Sequence, residues 1–253
     1  MSTIVITIGN EILSGHILDT NTHWLLSRLF LLGEEVRRVM VLPDDRDEIA
    51  RYVGESCGRV EHLFVCGGLG ATPDDVTTEA VAGAVGRGIA VSDTALAHMA
   101  RLSDFLIEKG YIQTRMVVDD AAKKMASVPE GAAILENKAG FCSGSTLVHD
   151  GTRIFVLPGV PQELKTIFTD QIEGSYITPR PGRYTEELVL SEAEARIAHL
   201  LKKLGEDFPG VSIGSYPTYG AKTLVIRAMG TDKRAVKRVL AEIKEYAESL
   251  PEL

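Results

Sequence analysis

The chain has 253 residues, 45% of them hydrophobic and 25% charged, a soluble globular composition with room for one large α/β domain and a smaller companion. Its mean hydropathy of +0.06 argues against disorder, and no run approaches the roughly 18 apolar residues of a bilayer span. The 27 basic and 35 acidic residues give a charge of −8, which argues against nucleic acid as the main ligand and leaves an anionic ligand dependent on backbone amides or a bound cation.

The N-terminus, MSTIVITIGNEILSG, has neither the basic start nor the cleavage site of a signal peptide, so a cytoplasmic protein without membrane attachment is expected. Over the first 160 residues strand and helix signals alternate, the pattern of a parallel sheet covered on both faces. Residues 3–8 (TIVITI) predict a buried strand. A loop follows, then a helix over 19–32 with Leu25, Leu29 and Leu32 on one face and Gly33 as its stop. Residues 35–42 predict a second strand, and Pro43-Asp44-Asp45 the turn into another helix. Residues 63–66 predict a third strand, running into Gly67-Gly68-Leu69-Gly70. Helices are expected near Val76, Thr94 and Ala121. Strands at 132–135 and 146–149 flank a loop, Asp150-Gly151 is a hairpin signal, and the chain returns as a strand at 154–157. Pro158-Gly159-Val160-Pro161 then leads into a helix over 162–169.

Two prolines and a glycine at 176–183 (YITPRPGR) read as a linker, so the expected domains are 1–175 and 183–253. The second has the order strand (187–190), helix (193–204), strand (212–216), strand (223–228), helix (233–250), a small α+β unit. Ala235, Val239, Ile243 and Tyr246 form the core-facing stripe of its last helix. Its modest core suggests support from the main domain or a second copy, and a homodimer is expected. Cys57, Cys66 and Cys142 form no CxxC pair, which fits a reducing compartment, with Cys66 a buried small hydrophobe. The six histidines lack zinc-ligand spacing.

The strongest chemical signal is CGGLGATPDDVTTEA at 66–80. Glycines directly after a buried strand let the backbone approach a ligand, and the following helix would offer N–H groups to an anion. Asp74 and Asp75 repel a phosphate unless a hard divalent cation lies between them. The alternative reading makes Asp75 a helix cap and Asp74 solvated surface. Asn10, Glu11 and Ser14 in the loop GNEILSGHILDTN, and Asp44 in PDDR, follow strands at the same end of the sheet. For Glu11 the alternative is simple exposure, and for Asp19 helix capping. With ENKAGFCSG at 136–144 and LPGVP at 157–161, these loops describe a crevice for a phosphorylated ligand.

The segments GNEILSGHILDTN, VLPDDRDEIA, GGLGATPDD, ENKAG and LPGVPQELK together resemble, in order, the N-terminal part of the competence/damage-inducible CinA family, over roughly residues 3–170. The resemblance implies a three-layer α/β fold of the molybdopterin-binding, MoaB/MogA-like kind with a mostly parallel sheet. It also implies metal-dependent hydrolysis of ADP-ribose to AMP and ribose 5-phosphate. The matching site residues are Asn10, Glu11, Ser14, Asp44, Gly67, Gly68, Gly70, Asp74, Asp75, Asn137, Lys138, Gly159 and Pro161. On this reading Glu11, Asp44, Asp74 and Asp75 hold Mg²⁺, Mn²⁺ or Co²⁺, Asp75 orients the attacking water, and Lys138 stabilises the leaving phosphate. LSEAEARIAHLL and VSIGSYPTYG resemble the family's small KH-like domain. The amidase domain of full-length members is not among these residues, and amidase activity is not expected. Where the family usually reads a Thr-Ala-Pro-Gly-like loop, this chain has Phe141-Cys142-Ser143-Gly144, a departure that bears on substrate and activity. Two alternatives stay open: a molybdopterin-binding protein or adenylyltransferase of molybdenum cofactor biosynthesis, and a nucleotide-binding module without turnover. RNA binding by the small domain is not expected, because no two of its glycines have the spacing of a GXXG loop.

Overall fold

In the computed structural model, which describes residues 2–179, 184–218 and 223–251, the N-terminal β-branched run forms β1 (Ser2–Ile8). It is followed by a single helical turn, α1 (Asn10–Leu13), then α2 (Thr20–Leu31), β2 (Glu35–Leu42), α3 (Arg46–Ser56) and β3 (His62–Cys66). Next come α4 (Thr77–Ala84), β4 (Ile89–Val91), α5 (Asp93–Glu108), α6 (Asp120–Met125), β5 (Ser127–Pro129) and β6 (Ala133–Leu135). The hairpin of β7 (Gly144–His149) and β8 (Thr152–Leu157) leads into α7 (Pro161–Ile167) and a π-helical turn at Phe168–Ile172. The chain divides into two units, Met1–Thr178 and Pro179–Leu253.

The main sheet has the order β2-β1-β3-β8-β7-β6. The β1–β2, β1–β3 and β3–β8 pairings are parallel, while β7 is antiparallel to both its neighbours and alone runs against the rest. The reversal follows from the turn: Asp150 (φ 47°) and Gly151 (φ 77°) both take the left-handed backbone of a tight two-residue hairpin. The period-two alternation of the strands then makes two cores. Ile4, Ile6, Leu63, Val65, Ile154 and Val156 face Ile49 and Val53 of α3 and Val81 of α4. Val5, Phe64, Phe155 and Leu157 face Leu25 and Leu29 of α2 and Leu164 of α7, with the Phe64 and Phe155 rings stacked 4.8 Å apart. Each fully buried Leu, Ile or Phe contributes about 2 kcal/mol by leaving water. The result is a three-layer helix–sheet–helix unit.

This topology decides where the loops go. Parallel β1, β2, β3 and β8 all end at one edge of the sheet, and the reversed β7 begins there. The segments after Ile8, Leu42, Cys66 and Leu157, and the one joining Leu135 to Gly144, therefore gather at a single edge. The other edge carries the starts of β1 and β3. There Thr3 donates to Glu34 at 2.9 Å and His62 Nδ1 lies 3.0 Å from the same carboxylate oxygen, all three side chains buried.

One expectation needs correction, and a few short elements escape the sequence. The short β4–β5 pair and α1 were not foreseen, since three- and four-residue elements carry too little periodicity to read. The first residues of the expected linker belong to the main unit: Ile177 is buried in its core, and Tyr176 packs edge-on against Phe155 beneath the Arg153 guanidinium. Residues 180–183 of that linker lie outside the described residues.

The second unit contains β9 (Tyr184–Leu190), α8 (Glu194–Asp207), β10 (Val211–Thr218), β11 (Thr223–Gly230) and α9 (Lys233–Ser249). Its antiparallel sheet has the order β10-β11-β9. Leu190, Leu224 and Ile226 of the sheet pack with Ile197 and Leu204 of α8 and Val236, Val239 and Ile243 of α9. Val239 and Ile243 of the expected stripe are buried, while Ala235 and Tyr246 flank them half-buried. Tyr219 and Gly220, the end of VSIGSYPTYG, lie outside the described residues. Among the described residues no helix is long and apolar enough to cross a membrane.

Candidate functional site

The loop edge opens into a cleft of about 500 Å³, within the range of small-ligand sites. Its floor is the turn after β3. Gly67 (φ +105°) and Gly68 (φ +67°) take backbone conformations that L side chains rarely adopt, and a Cβ on either would strike the Ile8 carbonyl or the Thr77 hydroxyl. The sequence therefore produces a strip of bare backbone at the end of a buried strand, and Gly70 continues it along the cleft.

The helix after this turn is set back from the strip. α4 starts at Thr77, whose N–H is already bonded to the Gly68 carbonyl, and its N-cap Val76 supplies no side-chain bond. The expected anion-binding helix end is thus separated from Gly70 by a turn that carries Asp74 and Asp75. Asp75 is not a helix cap: its Oδ2 accepts from the Thr72 N–H at 2.9 Å and the Thr72 hydroxyl at 2.5 Å, and it ties that turn together. Asp74 is exposed, and the Thr72 hydroxyl, its own amide and the Lys124 ammonium hold its carboxyl below the usual value.

Glu11, Asp19, Asp44, Asp74, Asp75 and Glu163 line the cleft, and among the described residues its lining holds no Lys, Arg or His. Asp44 accepts the Asn10 N–H at 2.8 Å. Burial, followed by the charges of Glu11, Asp74 and Asp75, nevertheless raises its carboxyl above the ordinary value, against the effect of that bond. Asp19 caps α2 through the Thr22 N–H, as its alternative reading had it, and also lines the cleft. An apolar rim completes the site, with Ile17, Leu18 and Val160 largely exposed.

Of the residues expected here, Glu11, Asp44, Gly67, Gly68, Gly70, Asp74, Asp75, Gly159 and Pro161 line the cleft. Four others are not among its lining residues. Asn10 faces Asp44 through its backbone, and the Ser14 hydroxyl donates to the Glu11 carbonyl. Asn137 is fully buried and organises its own loop, donating to the Cys142 carbonyl at 2.8 Å and accepting the Ala139 N–H at 2.9 Å. Lys138 points to Asp170, 2.8 Å away, which raises its ammonium and leaves it engaged outside the cleft. Its expected place beside a leaving phosphate has no geometric basis.

Sequence reasoning missed Asn21 and Glu163. Asn21 Nδ2 donates to the Gly159 carbonyl at 2.6 Å, joining the first loop to the last, while its buried Oδ1 has no partner. Glu163 sits in the first turn of α7, and burial raises its carboxyl against a hydrogen bond from Asn137. Both lie inside motifs that the sequence flagged, but only the fold brings residues 138 positions apart together. In the departing loop, Cys142 is half-buried, its Sγ lies 3.4 Å from the Leu69 carbonyl, and burial pushes its thiol up to about 12. It is therefore a neutral wall residue at ordinary pH.

Comparison with known proteins adds three findings. Residues 4–176 match the family described as the probable molybdopterin binding domain, and residues 183–250 match the FAD synthase middle domain. The second match gives no support to the KH-like reading of that segment. A protein of Thermococcus kodakarensis is 36% identical over 250 residues, 97% of this chain and 95% of the relative, and one of Archaeoglobus fulgidus is 33% identical over 246 residues, 97% of each. Among solved structures, the protein CinA of unknown function from Thermoplasma acidophilum superposes with a TM-score of 0.58 at 31% identity, covering 67% of this chain and 95% of that one.

Proposed function

The chain belongs to the probable molybdopterin binding domain family, and on that premise we propose that its acidic cleft takes a nucleotide pyrophosphate with a divalent cation and hydrolyses it, ADP-ribose giving AMP and ribose 5-phosphate. One observation carries the reading: six carboxylates surround a strip of bare glycine backbone, with no cationic side chain among the described lining residues. A phosphorylated ligand enters such a cleft only with its charge neutralised.

The donor set suits a hard cation such as Mg²⁺ or Mn²⁺, since it is all oxygen and the one nearby thiol is neutral. Burial, and after it the charges of Glu11, Asp74 and Asp75, raise the Asp44 carboxyl, and a cation would offset that repulsion. Among the described residues no three His, Cys, Asp or Glu side chains are disposed to hold a metal by themselves. One or two of Glu11, Asp44, Asp74 and Asp75 would therefore share the ion with the ligand's phosphoryl oxygens, the usual arrangement for Mg²⁺. When bound, the cation would neutralise the phosphoryl oxygens and acidify a bound water.

The protein's own residues do the positioning. Gly67, Gly68 and Gly70 let the pyrophosphate lie against the backbone. Asp75, pinned by Thr72, keeps the turn that presents Asp74 in a fixed shape. The apolar rim at Ile17, Leu18 and Val160 offers a surface for the base or sugar.

The test is incubation with ADP-ribose, FAD or NADH and Mg²⁺, Mn²⁺ or Co²⁺, with EDTA controls and chromatographic resolution of products. AMP release from ADP-ribose that EDTA stops supports the reading. Asp74→Ala and Asp75→Asn should each lower turnover by about 100-fold or more, and full activity in both would overturn it. The family's description favours a second reading, in which the same cleft binds a pterin or transfers AMP to a pterin phosphate. Tight pterin binding without AMP release from any pyrophosphate would select it.

A further inference from the structure

Glu163 is held differently from the acids across the cleft. Asp19, Asp44 and Asp75 each accept a backbone N–H. Glu163 instead fills a notch in the 137–142 loop. Gly140 makes the notch, because a Cβ there would fall on the Glu163 carboxyl group, and the buried Asn137 amide fixes the loop that carries it. Leu164, the next residue, is fully buried and anchors α7. The loop and the helix are thus shaped around an acid at the wall of the cleft, where burying a carboxylate costs free energy that a glutamine would avoid.

The basic groups near it are turned elsewhere. Cys142 on the packed loop is a thiol, and His98 of α5 is turned to the Gly140 carbonyl, 3.1 Å away. Lys138 on the same loop is paired with Asp170, the charged side chains lining the rest of the cleft are carboxylates, and the Lys124 ammonium acts on Asp74 from outside that lining. Burial then keeps Glu163 protonated to a higher pH than an exposed glutamate.

We propose that Glu163 is the proton carrier of the cleft, giving its proton to the bridging oxygen of the pyrophosphate as the P–O bond breaks. This rests on the hydrolytic reading above. The water oxygen bonds to the attacked phosphorus, one water proton stays on the new phosphate, and the other restores Glu163. Atoms and charge balance without a further reactant.

Glu163→Gln preserves the shape of the notch and removes the proton. With ADP-ribose and Mg²⁺, kcat should fall about 100-fold, and the alkaline limb of the kcat–pH profile should flatten. Affinity for the non-hydrolysable α,β-methylene analogue of ADP-ribose should stay within about twofold of wild type. Gly140→Ala, which displaces the carboxyl without touching its chemistry, should lower kcat in parallel. Carbon-13 carboxyl titration should show Glu163 above the ordinary glutamate range and moving further when the methylene analogue binds. A Glu163→Gln protein with wild-type kcat and pH profile, or a carboxyl signal indifferent to the analogue, overturns the role and leaves the hydrolytic reading standing. A wild-type protein that binds the analogue but cleaves no pyrophosphate overturns both.

Discussion

The two ends of the main sheet treat polar groups in opposite ways. Where β1 and β3 begin, Thr3, Glu34 and His62 bury their polar atoms against one another. Where the same strands end, Asn21 Oδ1, Thr77 Oγ1 and Ser143 Oγ are buried without partners, and for Asp44 burial and the surrounding carboxylates both oppose ionisation. Buried polar groups that satisfy each other stabilise a fold, and groups left unsatisfied cost it free energy. One end of the sheet therefore carries stability, and the other gives some up in a place shaped for a ligand.

The largest expected effect comes from the satisfied end. Glu34→Ala strands a buried hydroxyl and a buried imidazole, and should cost about 3 kcal/mol in a urea melt. Nucleotide affinity of the remaining folded protein should be unchanged. A variant as stable as wild type, or one that lost binding while staying folded, would erase the division between the ends. At the cleft end, Gly67→Ala forces a side chain into a left-handed backbone against the Ile8 carbonyl. It should cost about 2 kcal/mol, and here binding should fail together with stability. If only stability changed, the glycine strip would be a device of folding rather than of recognition.

These two variants also mark how far the sequence could be read. The alternation of short buried strands with helices was legible, and so was the hairpin, because Asp150-Gly151 is the pair that a left-handed two-residue turn requires. Strand ends show where loops belong, so the gathering of glycine- and acid-rich loops at one edge followed from chain order. Which side chains face the cleft did not follow. Asn137 and Lys138 are adjacent and both polar in ENKAG, yet one is buried within its loop and the other reaches out to Asp170. Asn21 and Gly159 meet only because β1 and β8 flank β3 in the sheet. Direction and long-range pairing are tertiary facts, and no local pattern encodes them.

The smallest effect is the most discriminating, because its sign is opposite to that of most substitutions. The Asp44 carboxyl titrates higher in the folded protein than in the unfolded chain. Between those two values the folded state binds more protons, so stability falls as pH rises through the window, and the whole penalty is present above it. Asp44→Asn should therefore match wild type in acid and be slightly more stable at neutral pH, the gap opening as pH rises past the ordinary carboxylate range. The same change should weaken Mg²⁺ or Mn²⁺ binding in calorimetry, since it removes a donor from the crowded set. Urea melts at a series of pH values, with and without the cation, measure both. Greater stability with weaker cation binding identifies Asp44 as a group held at a cost for the sake of the ligand. Lower stability at neutral pH would mean that the bond from the Asn10 N–H outweighs burial and repulsion together, and the cleft end would then be as well satisfied as the other.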